Sequence, residues 1–164
     1  NEGNLTGFIG YTWSKALRKF PDINEGKEYR ASYDIPHNIN IILNYRLSER
    51  ISVSSVWNYR SGVPVTYPAM RFAHGNSALP VYKDKNNARM PDYHRLDLSL
   101  SIKSIKKPGR KWDGEWKFGL YNAYNRANAY SVYFEEDPDV SNNIKAYKMV
   151  MFRIVPFLSY DFKF

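Results

Sequence analysis

Apolar and polar residues alternate with a period of two along most of this chain, the mark of strands with one oily and one wet face. The final residues show it plainly: Leu158, Tyr160, Phe162 and Phe164 are apolar, while Ser159, Asp161 and Lys163 are polar. Upstream, 5–16 sets Ile9, Tyr11 and Trp13 on one face. In 36–47, Ile39, Ile41, Leu43 and Tyr45 oppose Asn38, Asn40, Asn44 and Arg46. In 51–60, Ile51, Val53, Trp57 and Tyr59 oppose Ser52, Ser54, Asn58 and Arg60. The cleanest case is 94–104, where Leu96, Leu98, Leu100 and Ile102 oppose Arg95, Asp97, Ser99, Ser101 and Lys103. In 115–124, Trp116, Phe118 and Leu120 oppose Lys117, Gly119 and Tyr121. The last segment, 145–164, reads as one long strand bent at Pro156 or as two shorter ones, because Pro is tolerated at edges and bulges. No segment carries a sustained helical period.

The connections alternate in length: long, short, long, short, long. The first, 17–34, holds the turn formers Pro21, Asp22, Asn24 and Gly26. Ser48, Glu49 and Arg50 make a hairpin turn. The connection 61–92 is long enough to suggest a functional loop, 105–114 is a short basic turn with Pro108-Gly109, and a polar stretch runs to about 144. A soluble sandwich has no reason to sort its loops by end; an outer-membrane barrel does, with short periplasmic turns and long extracellular loops. Strands of about 9–11 residues suit a tilted membrane crossing. Trp13 and Trp57 fall beside long loops, and Trp112 and Trp116 beside a short turn, as two interfacial aromatic girdles would require. The expected fold is therefore all-β: an antiparallel, up-and-down transmembrane barrel segment of about six strands, forming one incomplete domain over 1–164. Six strands do not close into a membrane barrel, for which eight is the practical minimum, and an open edge in lipid leaves backbone groups unpaired. The chain thus reads as a section of something larger.

Composition is consistent with this. Among 164 residues there is no cysteine, which excludes a disulfide framework, and a mean hydropathy of −0.58 with no long apolar run argues against a membrane helix. Strands that alternate average out as polar, so a barrel survives the same test. Tyrosine dominates the aromatics with 14 copies. The opening Asn1-Glu-Gly lacks an initiator Met and a signal-peptide pattern, as expected of a processed product or a piece of a longer chain.

Four stretches carry a family likeness. Tyr33-Asp34-Ile35-Pro36-His37-Asn38-Ile39-Asn40 is similar to a D-x-x-H-N-x-N pattern at the start of a strand. Tyr59-Arg60-Ser61-Gly62-Val63-Pro64-Val65-Thr66 resembles Y-x-S/T-G-x-P-x-T at a strand top. Arg89-Met90-Pro91-Asp92-Tyr93-His94-Arg95-Leu96-Asp97 resembles R-x-P-x-Y-x-R-L-D. Asn122-Ala123-Tyr124-Asn125-Arg126-Ala127-Asn128 is similar to N-L-F-N-R-x-N, with Ala-Tyr in place of Leu-Phe. In this order they resemble the carboxy-terminal barrel section of a TonB-dependent outer-membrane receptor of the Bacteroidetes type. The resemblance implies the last six strands of a 22-stranded, plugged barrel that imports a nutrient across the Gram-negative outer membrane. It implies an assembly signal in Tyr160, Phe162 and Phe164, read by the barrel assembly machinery. The implied partners are the remaining strands and plug, the TonB complex acting through an upstream part, outer-membrane lipid and lipopolysaccharide, and a surface lipoprotein. Nothing in this chain matches the plug or the TonB box.

Catalytic chemistry is not legible. His37, His74 and His94 have no partner at ligand spacing, and His94 and Asp97 have opposite strand parity. No nucleophile elbow or phosphate-binding glycine loop occurs. No enzyme activity, cofactor or metal is expected. Asn38, Asn40, Asn44, Arg46, Asn58, Arg60, Arg95 and Asp97 would line the lumen, solvating it and meeting a plug or a substrate path; Arg95 and Asp97 share a face and should compensate each other. The long connection offers Tyr67, Arg71, Phe72, His74, Tyr82 and Tyr93 as ligand-facing extracellular residues, since aromatic and Arg side chains are common anchors. The net charge of +8 suits phosphate-bearing lipopolysaccharide, with Lys106, Lys107, Arg110 and Lys111 as solvated charge in a periplasmic turn. A nucleic-acid partner is not expected, because the aromatics alternate toward an apolar face rather than a charged one. Two alternatives stand beside the receptor: a small eight-stranded structural or adhesive barrel, with 128–134 and 156–164 as separate strands, and a soluble β-sandwich that binds carbohydrate.

Overall fold

The computed structural model describes residues 3–74, 77–105, 109, 112–137, 139–140 and 143–163. In chain order the strands are β1 (Leu5–Trp13), β2 (Leu17–Arg18), β3 (Tyr29–Arg30), β4 (His37–Arg46), β5 (Ile51–Arg60), β6 (Pro64–Val65) and β7 (Met70–His74). There follow β8 (Ser77–Val81), β9 (Ala88–Arg89), β10 (Tyr93–Lys103), β11 (Asp113–Tyr121), β12 (Ser131–Glu136), β13 (Ile144–Met149) and β14 (Val155–Lys163). Among the described residues the only helical piece is a 3-10 turn at Asn24–Gly26, and no helix is long and apolar enough to cross a membrane.

Six strands form one antiparallel sheet in the order β1-β4-β5-β10-β11-β14. Each main strand pairs with the next main strand along the chain, so the path is an up-and-down meander with β1 and β14 as its two edges. The register brings apolar residues to one face: Ile9 lies opposite Ile41, Ile41 opposite Trp57, and Trp57 opposite Leu96. Further along, Leu100 faces Val53 and Phe118, and Phe118 faces Leu158. The alternation in each strand is thus phased with that of its neighbours, which is what fixes register when one face must avoid water.

That face is uncovered. Ile9 is 69% exposed, Leu158 61% and Trp116 46%, and no large side chain among the described residues is fully buried. The molecule presents 11933 Å² to solvent, whereas a compact monomer of its mass would present about 8,400 Å². Among the described residues no second large sheet packs on this face, as a sandwich would require. The segments that an eight-stranded barrel requires are separate strands, but β12 pairs with β13 in a ribbon of its own and not with the main sheet. The last segment is two strands: β13 belongs to that ribbon, and β14, containing Pro156, is the sheet edge where a missing N–H is tolerated.

Burial is concentrated at one end. Tyr29, Ala31, Ala78, Asp34, Ser61, Asn86 and Asn122 are buried, and all belong to the three long connections. These connections hold short ribbons, β2 with β3, β6 with β9, β7 with β8 and β12 with β13, so the expected bare loop 61–92 is in fact two nested hairpins. Asparagine side chains extend the pairing. Asn24 accepts from the Lys85 N–H and donates to its carbonyl; Asn87 does the same for Tyr67, and Asn128 for His94. Each amide acts as one rung of a ladder, satisfying backbone groups that no strand reaches. Strand β11 stops at Tyr121, short of the expected 124, because Asn122 turns to φ 54° and its side chain caps the following turn through Arg126.

Candidate functional site

The four likeness-bearing stretches, far apart in sequence, meet at the long-loop end. Asp34, only 2% exposed, accepts the Ala16 N–H at 2.6 Å and an ion-paired bond from Arg89. The other guanidinium nitrogen of Arg89 donates to the carbonyls of Asp34 and Gly62, at 2.9 and 2.8 Å. Burial alone would push the Asp34 carboxyl up, but the Ala16 N–H and Arg89, helped by the charge of Arg30, hold it below the usual carboxylate value. One side chain from β9 thus clasps the first connection to the top of β5.

Asp92 makes the second clasp. It accepts the Tyr59 hydroxyl at 2.7 Å and the Gly62 N–H at 2.9 Å, while its own carbonyl accepts from Arg126. The Tyr59 bond, then the Gly62 bond, against burial and with the Arg126 charge, lower its pKa. Asn122 and Asn128 complete the network: the Asn122 N–H donates to Asp97, and Asn128 brackets His94. Gly62 is needed at its position because a Cβ there would lie 1.7 Å from the Met90 carbonyl oxygen. Gly62→Ala should therefore destabilise this end by roughly 1–3 kcal/mol or more, read as lost hydrogen-exchange protection at the Met90 amide, which bonds Val63. Unchanged protection would refute the close approach. These residues are architecture: they join the loops to the strand tops.

Beside the clasps, on the polar face of the sheet, is a cleft of about 530 Å³. Strands β5, β10 and β11 supply Arg60, Tyr93, Arg95 and Tyr121; the connection to β14 supplies Tyr130, Phe152 and Arg153. The Arg60 guanidinium lies 4.6 Å from the Tyr93 ring centroid and that of Arg95 5.6 Å from the Tyr121 centroid. Cross-strand pairing explains the first stack, since Tyr93 is directly opposite Arg60. Arg95 pairs with Asp97 at 2.7 Å, as its shared face predicts, while its Nε is buried without a hydrogen-bond partner.

The expected lumen set is brought together on this same face. Asn40 lies opposite Asn58, Asn58 opposite Arg95, and Asn44 opposite Ser54, with Arg60 and Asp97 on the same side. The expected loop set is dispersed. Tyr67 packs edge-on against Phe134, with centroids 4.9 Å apart, and Arg71 bonds Asn143, so both fasten the β7–β8 hairpin to the β12–β13 ribbon. Tyr82 is exposed, and Tyr93 is the first residue of β10, under Arg60. His74 ends β7 opposite Ser77, and its side chain lies outside the description. Tyr160 packs on Trp116, 4.6 Å between centroids, and on Phe162; Phe164, like Lys106, Lys107, Arg110 and Lys111, lies outside the described residues. Sequence reasoning missed Tyr130, Phe152 and Arg153, which carry no motif and join the cleft only through the path of the last connection.

Comparison of the chain with protein-family models, with curated proteins and with solved structures found no match.

Proposed function

We propose that this chain is a non-enzymatic membrane section: the carboxy-terminal strands of an outer-membrane β-barrel, of the TonB-dependent receptor type, that takes part in nutrient import. One observation carries the membrane reading: the banding of the uncovered face. At the long-loop end the outer rows of this face hold Tyr11, Trp13 and Tyr59; at the short-turn end they hold Trp116, Tyr160 and Phe162. The three rows between them are mainly aliphatic: Ile9, Ile41 and Leu96 with Trp57, then Leu43, Leu98 and Leu120, then Val53, Leu100 and Leu158 with Tyr45 and Phe118. From the row of His94 to the row of Ile102 the strand rises roughly 27 Å, or about 21 Å at the usual barrel tilt, close to the ~25 Å apolar band of such proteins. Aromatic rings favour the membrane–water interface and aliphatic chains the hydrocarbon. The receptor type, and import as its task, rest on the four sequence stretches and on the sorting of long connections to one end. In this reading β1 and β14 meet neighbouring strands of the same barrel, since an unpaired edge in lipid is costly.

This chain has no cysteine, so orientation can be tested with single cysteine substitutions in it, made in the full-length protein with any cysteine elsewhere replaced. Asp84→Cys, in a long connection, should react with a membrane-impermeant maleimide on intact cells. Glu49→Cys, in a short turn, should react only after the outer membrane is opened. Equal labelling of both on intact cells, or recovery of the protein in the soluble fraction without detergent, would defeat the proposal.

A further inference from the structure

We propose that the cleft between β5, β10, β11 and the connection to β14 binds a small anion, a carboxylate or phosphate carried on a molecule with a flat ring. The inference stands on the cleft itself and does not need the membrane reading. Three arginines, Arg60, Arg95 and Arg153, line it, and no Asp or Glu does. Asp97, just behind, is already paired to Arg95. Among the described residues neither Arg60 nor Arg153 makes an ion pair. Three like charges gathered around one cavity raise each other's energy, and an arriving anion relieves this.

The stacks give the arrangement its selectivity. With Arg60 on Tyr93 and Arg95 on Tyr121, the rings hold both guanidinium groups in place; the Arg60 edge stays available as a forked donor, while Arg95 already gives one nitrogen to Asp97. That geometry matches carboxylate and phosphate oxygens better than a lysine would. Across the cleft, Tyr130 is 66% exposed and Phe152 70%, rings without a covering layer that a flat ligand can occupy. The volume of about 530 Å³ lies within the ~300–1,000 Å³ typical of small-molecule sites. It is too small for a polyanion to lie within.

The test is a calorimetric or ligand-observed NMR titration of the purified full-length protein, in detergent if it needs it, with four probes. Benzoate and phenyl phosphate carry the ring with the two anionic heads, benzyl alcohol carries the ring without charge, and inorganic phosphate carries the charge without the ring. At least one of the first two should bind, at least tenfold more tightly than benzyl alcohol and more tightly than inorganic phosphate. Arg60→Gln with Arg153→Gln, both on the rim, should weaken that binding by at least tenfold, the loss of a charge-assisted contact or more. Lys83→Gln, a remote cation, should leave it unchanged. Raising salt from 50 to 500 mM should weaken it without any mutation. If neither ring anion binds, if benzyl alcohol binds as well, if inorganic phosphate binds as tightly as both ring anions, or if the arginine variant binds undiminished, the assignment is overturned. Benzoate and phenyl phosphate compared directly tell which head group the arginines prefer.

Discussion

Arg89→Met should open the long-loop end of this protein, by about 3–5 kcal/mol, because it strands a buried carboxylate. Asp34 is almost fully enclosed, and Arg89 supplies both its countercharge and two further donors to the carbonyls of Asp34 and Gly62. Methionine fills much of the space and offers none of these. The effect should be local, since the clasp joins connections and not the main sheet. Hydrogen exchange of the full-length variant should show the Ala16 and Ala31 amides, bonded respectively to the Asp34 carboxylate and the Ala16 carbonyl, losing about two to four orders of magnitude of protection. Protection within β10 should not change. Acid gives the same reading without a mutation. The Asp34 pKa is lowered in the fold, so its contribution is complete above the ordinary carboxylate value of about 3.9 and is lost as pH falls below that toward the lower folded value. The wild-type clasp should therefore loosen below about pH 4, and in Arg89→Met, where the folded pKa rises toward the unfolded one, this acid step should shrink. A variant with unaltered protection at Ala16 and Ala31 would mean that the pair is not what closes this end.

Leu98→Arg should impair assembly, at a cost of about 2–4 kcal/mol, whereas Ser99→Arg should cost far less. The two residues are adjacent in β10 but face opposite ways. Leu98 lies opposite Ser55 and Leu120, in the middle of the aliphatic band. Ser99 lies opposite Ser54 and Gly119, on the polar face. A cation at the lipid midplane has no water and no partner; one on the other face has both. The yield of heat-modifiable, folded protein in the outer-membrane fraction measures the difference. In a water-facing sheet, Leu98→Arg would remove an exposed apolar side chain and cost little. Equal tolerance of the two would therefore remove the lipid from the proposal.

Much of the fold was legible because strand periodicity is a local property. Each residue's parity along β4, β5 or β10 is set by the strand it belongs to, and the apolar rows predicted from parity are those the register aligns. The sorting of connections by length was legible for the same reason. Strand ends were less so. The end of β11 depends on the left-handed turn at Asn122, where a polar residue stands at the position that the parity of Phe118 and Leu120 gives to an apolar one. Phe157 also breaks the simple alternation: it lies on the polar face opposite Gly119, whose missing side chain makes room for the ring.

The sequence by itself determined the strand class, the two-faced sheet, the meander and the charge pair of Arg95 with Asp97, since all depend on neighbours a few residues apart. Only the tertiary structure decided what Asp34, Gly62, Arg89 and Asp92 do, and which residues enclose the cleft. Asp34 and Arg89 belong to different connections, and Arg153 reaches Arg60 only after the chain has passed through β12 and β13. Such meetings are fixed by how loops close over strand tops, and no local pattern encodes that closure.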